Sequence, residues 1–163
     1  MVKKFKVGTI VDSADSINTL RGCKNLLGSE ILQVRKVVKP FLSEIKNFEE
    51  IKNSKIEELG TPDPDKTDSI SIRQGTPEFD KILSFVEELS NTEVEIDIKK
   101  PIDLNKLLSK EAVTGLSEND ITVLEELGIL YDSEEVKEKT EEVKKPTESD
   151  AAIAKEEEVE RSN

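Results

Sequence analysis

The clearest pattern in the chain is Ile31, Val34, Val38, Phe41, Ile45 and Phe48, apolar positions spaced 3-4-3-4-3 like the a/d seam of a heptad. Ser29 supplies an N-cap, Ile51, Ile56 and Leu59 continue the face less regularly, and Gly60 is the stop. Together they predict one long helix over 29–59. Pro40 lies inside it, where proline removes a backbone hydrogen bond and costs about 3 kcal/mol. The apolar spacing passes through Pro40 without a shift, which favours a kinked helix over two helices meeting there.

Upstream, Phe5, Val7, Thr9 and Val11 alternate as one side of a strand. Asp12 or Ser13 then caps a short helix with Ile17 and Leu20 inward, and a break is expected near Gly22 or Gly28. Downstream, 61–68 is a turn-rich loop with Pro62 and Pro64, and 69–73 alternates as a short strand. Thr76 as N-cap, Pro77 at the first helical position and Glu78 in the first turn open a helix. Its buried face is Phe79, Ile82, Leu83, Phe85, Val86 and Leu89, and it ends near Ser90 and Asn91. Val94, Ile96 and Ile98 alternate with charged residues, as in an antiparallel strand with one wet face. Pro101 ends that strand, and Ile102, Leu104, Leu107 and Leu108 anchor an irregular segment. Ser117 and Asp120 form a capping box for a closing helix with Ile121, Leu124 and Leu127, stopped by Gly128.

The fold class implied is α+β: a long helix or helical hairpin packed with a small antiparallel sheet, in a single domain over 1–130. From Tyr131 onward apolar residues are too sparse to offset ordering entropy, so 131–163 is expected to be a disordered acidic tail.

Charge sharpens this picture. The 163 residues carry 24 basic and 36 acidic side chains, a net −12. Residues 131–163 hold twelve acidic and six basic groups, so half of the excess is local. Such a balance argues against a nucleic-acid partner, whose phosphates require clustered Lys and Arg. One local exception is basic: Arg21, Lys24, Arg35, Lys36, Lys39 and Lys46 face only Glu30 and Glu44 between positions 21 and 46. It is a solvated helix face or a surface for an acidic partner, the tail included, and no aromatic platform accompanies it.

Candidate chemistry is thin. Without His, triads with a His base and zinc sites with a His ligand are excluded. Cys23 is the single cysteine, so no internal disulfide forms, and it reads as a small hydrophobe rather than a nucleophile. Asp63, Asp65 and Asp68 suggest a calcium loop, but the sixth and twelfth positions are Asp68 and Gln74 rather than Gly and Glu. The doublets Glu49/Glu50, Glu57/Glu58 and Glu87/Glu88 point about 100° apart on a helix and are surface charge. No glycine-rich phosphate loop is present. No catalytic, metal or cofactor site is assigned, and no small-molecule ligand is expected. The apolar stretch Val7–Val11 is too short for a signal peptide or a membrane span.

Phe5-Lys6-Val7-Gly8-Thr9-Ile10-Val11 followed by Ser16-Ile17-Asn18-Thr19-Leu20 resembles the start of a family of small tailed-bacteriophage proteins. So do Ile56-Glu57-Glu58-Leu59-Gly60, Phe85-Val86-Glu87-Glu88-Leu89 leading into Asn91-Thr92-Glu93-Val94-Glu95-Ile96, and Leu116-Ser117-Glu118-Asn119-Asp120-Ile121. The similarity spans roughly 4–130, and the chain departs from it by Pro40 and the acidic tail. It implies a phage-encoded protein in the host cytoplasm or the virion, with no catalytic residues. By analogy it implies accessory work in virion structure or assembly.

A helix over 29–59 is about 46 Å long, more than the other elements can cover. Ile31, Val34, Val38, Phe41, Ile45 and Phe48 are therefore the expected partner-binding residues, covered by the first helix or by a second copy or phage structural protein. The competing function is a regulatory binder of a host protein, with the acidic tail as a charge mimic.

Overall fold

The computed structural model describes residues 1–24, 26–62, 70–108 and 115–133. The chain opens with β1 (Val2–Lys6), α1 (Val7–Asp12) and α2 (Ala14–Gly22), followed by the long α3 (Gly28–Leu59). A short hairpin of β2 (Thr61–Pro62) and β3 (Ile70–Ser71) leads to α4 (Pro77–Asn91) and β4 (Glu93–Asp97). The fold closes with β5 (Ile102–Asp103), α5 (Leu104–Leu108), α6 (Glu118–Glu126) and β6 (Leu130–Tyr131). This is the α+β class expected, a long helix packed with a small antiparallel sheet. The proposed tail lies, from 134 on, outside the described residues.

The N-terminal strand is shorter than its alternation suggests. β1 pairs antiparallel with β4 from Val2↔Asp97 to Lys6↔Glu93, and there its partner ends. The Val7 N–H still reaches the Thr92 carbonyl at 2.9 Å, but beyond it no neighbour is available. A strand without a neighbour leaves its backbone groups unpaired, whereas a helix satisfies them internally. Residues 7–12 therefore coil, and Val7 and Ile10, three apart, turn inward in place of the alternating set.

α3 runs through Pro40 as one helix and starts one residue before the expected Ser29. At its start the Glu30 carboxylate accepts from the Leu27 backbone N–H at 2.8 Å. α2 stops at Gly22, as expected. α4 and α6 begin where local rules place them. The Phe79 N–H donates to the Thr76 hydroxyl at 3.3 Å, and the Asp120 N–H to the Ser117 hydroxyl at 3.1 Å. Gly60 is required for another reason. A Cβ there would collide with the Ile70 side chain and the Ile56 carbonyl, so only glycine lets the hairpin close against the end of α3. Gly128, at φ +74°, turns the chain from α6 into β6, which pairs parallel with β5. The segment expected to be irregular after Pro101 is thus β5 and α5, with Ile102, Leu104 and Leu107 buried.

The core lies around the first half of α3. Val34, Val37, Val38 and Phe41 meet Ile10, Ile17 and Leu20 from α1 and α2, Ile96 and Ile98 from β4 and its end, and Leu124, Leu127 and Ile129 from the closing segment. The Phe5 and Phe41 rings pack with centroids 5.7 Å apart and planes tilted by 60°. α2 is tied to α6 by a polar contact: the Ser16 hydroxyl donates to Asp120 at 2.7 Å, and Ser16 itself is buried. Asp120 also accepts from the Ser117 hydroxyl at 2.7 Å and the Ser117 N–H at 2.9 Å. These donors, the Ser117 hydroxyl foremost, hold the Asp120 carboxyl below its ordinary value.

Three outcomes follow for stability. Phe41→Ala, at a fully buried position, is expected to cost about 3–5 kcal/mol in urea unfolding, whereas Leu83→Ala on the surface stays within about 0.5 kcal/mol. Ser117→Ala removes the α6 cap and is expected to cost about 1 kcal/mol. Because the folded Asp120 carboxyl titrates low, its contribution is full above the unfolded-chain value of about 3.9 and is lost as pH falls through the folded value. An acid series of unfolding curves checks this: Asp120→Asn should flatten the stability profile in that acidic window.

Candidate interaction surface

The six seam residues do not form an open surface. Val34, Val38, Phe41 and Phe48 are buried within the chain, Ile45 is half-buried against the core, and only Ile31, at 39%, is exposed. The cover comes from β1, α1, α2 and β4, which pack along the first half of α3. The heptad spacing located the apolar face of the helix correctly. Of the covers expected, it is the first helix, with Ile17 and Leu20, that packs on this face, and the turn of residues 7–12 into helix adds Val7 and Ile10.

The surplus length of α3 emerges further along. Past Phe48, no residue of α3 is fully buried, and on α4 only Ile82 is. Here α3 and α4 pair side by side outside the core cluster, forming a two-helix arm capped by the β2–β3 hairpin. Ile56, Leu59, Phe79, Phe85, Val86 and Leu89 are half-buried, while Ile51 and Leu83 are exposed. Two clefts mark the junction. One of about 260 Å³ is lined by Phe48, Ile51, Leu89 and Val94, with Glu44 and Asn47 at its edge. The other, about 550 Å³ and widely open, is lined by Leu59 and Phe85 among Lys55, Asp80, Lys81 and Glu88.

Long polar side chains partly shield the arm. Lys52 lies 5.5 Å from the Phe48 ring and pairs with Glu49 at 2.7 Å. Lys55 lies 5.6 Å from the Phe85 ring and pairs with Glu58 at 2.8 Å. Such lysines cover aromatic rings with their stems while keeping the ammonium in water. They are easily displaced, since exposed ion pairs are worth only about 0–1 kcal/mol. Charge-bearing doublets along α3 are occupied in the same way, Glu49 by Lys52, Glu50 by Lys46 and Glu58 by Lys55.

Other candidates from the sequence fall elsewhere. Cys23 is half-buried, its thiol donates to the Thr19 carbonyl at 3.5 Å, and burial, with the Asp120 charge adding, raises its pKa. That disfavours the nucleophilic thiolate. The aspartate loop with Asp63, Asp65 and Asp68 lies outside the described residues. Among the described residues there is no group of three or more metal-ligating side chains, and no helix is long and apolar enough to cross a membrane.

Two polar contacts had no sequence signal because each joins distant segments: Ser16 with Asp120, and Gln33, whose amide donates at 3.2 Å to the carbonyls of Lys100 and Pro101. The second pins the turn where Lys100 adopts φ +57°. Both serve the fold. No family model, curated protein or solved structure matches the chain.

Proposed function

We propose that this chain is a non-enzymatic interaction module whose docking surface is the α3/α4 arm. The observation that supports this reading is the incomplete cover of that arm. Ile51 and Leu83 are exposed and the flanking apolar residues are half-buried, while in the first half of α3 Val34, Val37, Val38 and Phe41 are buried and Ile31 and Leu32 lie outside that packed face. Full burial of one such side chain is worth about 1.5–3 kcal/mol, so a partner completing the cover gains a substantial driving force. Mixed charges from Lys55, Glu58, Asp80, Lys81 and Glu88 border the apolar strip, as the polar rim of a protein interface does.

Following the resemblance to tailed-phage proteins, the setting is virion structure or assembly, in an accessory, scaffold-like or chaperone-like role. The partner is a second copy or another phage structural protein. The acidic excess of residues 131–163 supports one competing reading, a regulatory binder of a basic host protein with the tail as a charge mimic. Quantitative mass spectrometry of virions and assembly intermediates separates the two. A fixed copy number supports the structural role, and absence from both supports the host-directed one.

The arm itself is tested by light scattering over a wide concentration range, alone and with structural proteins of the phage. Leu83→Glu and Ile51→Glu are expected to abolish association while shifting unfolding by no more than about 0.5 kcal/mol. A chain that associates with nothing, or whose association ignores both substitutions, overturns the proposal.

A further inference from the structure

The opposite face of α3, in its first half, carries a second and different surface. At about 100° per residue, Ile31, Leu32, Arg35, Lys36, Lys39 and Lys46 fall within an arc of about 140° turned away from the core. Leu32 is 56% exposed, and all four cations are exposed. Lys46 pairs with Glu50 at 3.4 Å. Arg35, Lys36 and Lys39 make no ion pair with any described residue. In a chain with twelve more acidic than basic groups, three adjacent cations without a carboxylate are unexpected. The two acids in this stretch, Glu30 and Glu44, sit half-buried on the other side of the helix.

We propose that this stripe is the seat of the chain's own acidic segment, residues 150–160. That segment reads Asp-Ala-Ala-Ile-Ala-Lys-Glu-Glu-Glu-Val-Glu, five acidic side chains against one basic, with an apolar run before the acidic cluster. The stripe has the same order, Ile31 and Leu32 followed by Arg35, Lys36 and Lys39. The described chain ends at the same end of α3, on the face opposite the stripe. Tyr131 lines a cleft with Glu30, Gln33 and Val34, and the Asn105 amide donates to Asp132 at 2.7 Å and to the Ser133 hydroxyl at 3.5 Å. Seventeen residues from Ser133 to Asp150 span up to roughly 56–61 Å. Lys39 lies only about 8 Å along α3 from Val34, and passing around a helix about 10–12 Å across adds less than about 20 Å, so reach is ample.

Charge decides between this occupant and others. A separate polyanion such as a nucleic acid approaches against the net −12 of the whole molecule. A tethered segment avoids that encounter, because linkage holds it at a local concentration up to the millimolar range.

The test is paramagnetic relaxation in the full-length chain. A nitroxide is placed at Ser149→Cys in a Cys23→Ser background, and the amides of residues 31–39 are observed at low salt. The expected result is loss of signal from those amides, recovered at 1 M salt, where the screening length falls to about 3 Å. Recovery is also expected in R35E/K36E/K39E and, independently, in E156K/E157K/E158K. Mixing isotope-labelled chains without nitroxide and unlabelled chains with it gives no effect if the contact is intramolecular. Unperturbed amides at low salt overturn the proposal. So does broadening that persists in the mixed sample, which assigns the stripe to a second copy, or a single-stranded oligonucleotide that binds the wild type and E156K/E157K/E158K equally.

Discussion

The burial of one face of α3, from Val34 to Phe41, is the contact on which the rest of the molecule leans. β1, α1, α2, β4 and the closing segment all reach the core through it. Each of these pieces is too short to hold its own shape. Five residues of β1 need β4 beside them, and six residues of α1 need Phe41 and its neighbours beneath them. Helices this short are marginal alone in water, so packing rather than propensity keeps them folded. The same helix continues past the core as the arm, and there only α4 and the β2–β3 hairpin lie against it. Well-packed and poorly covered regions are thus two ends of a single rod.

How much of this could be read from the residues depended on whether the deciding interaction was local. Thr76 with Pro77, and Ser117 with Asp120, placed the starts of α4 and α6 because a cap is made within one turn of chain. Val94, Ile96 and Ile98 gave the face of β4 for the same reason: alternation is a local property. The end of β1 could not be read locally, since it is set by where β4 stops, about ninety residues away. The seam residues show both sides of this limit. Spacing showed that Val34, Val38, Phe41 and Phe48 share a face, but what covers a face is a question of topology, and the answer was the chain itself. The arm left open was hidden in the less regular part of the pattern, at Ile51, Ile56 and Leu59.

Charge on this molecule is arranged in two ways. Along the second half of α3 it is balanced within a turn, Lys52 with Glu49 and Lys55 with Glu58. Along the outer face of the first half it is not balanced, and Arg35, Lys36 and Lys39 stand together. The two arrangements separate the surfaces by chemistry: one apolar with a neutral rim, one cationic with an apolar end. An acidic segment lodged on the cationic face would be withheld from basic partners in solution, which bears directly on any role as a charge mimic.

The long sequence separations have a consequence for biosynthesis. Ser16 waits for Asp120, and β1 waits for residues 93–97. At about 5–20 residues per second of translation, those partners trail the amino-terminal segment by roughly 5–20 s. For that interval the inner side of α3 lacks β4 and the closing segment, so the nascent polypeptide carries uncovered apolar surface until residues 93–130 have been made. High contact order of this kind slows folding and invites premature association on the ribosome.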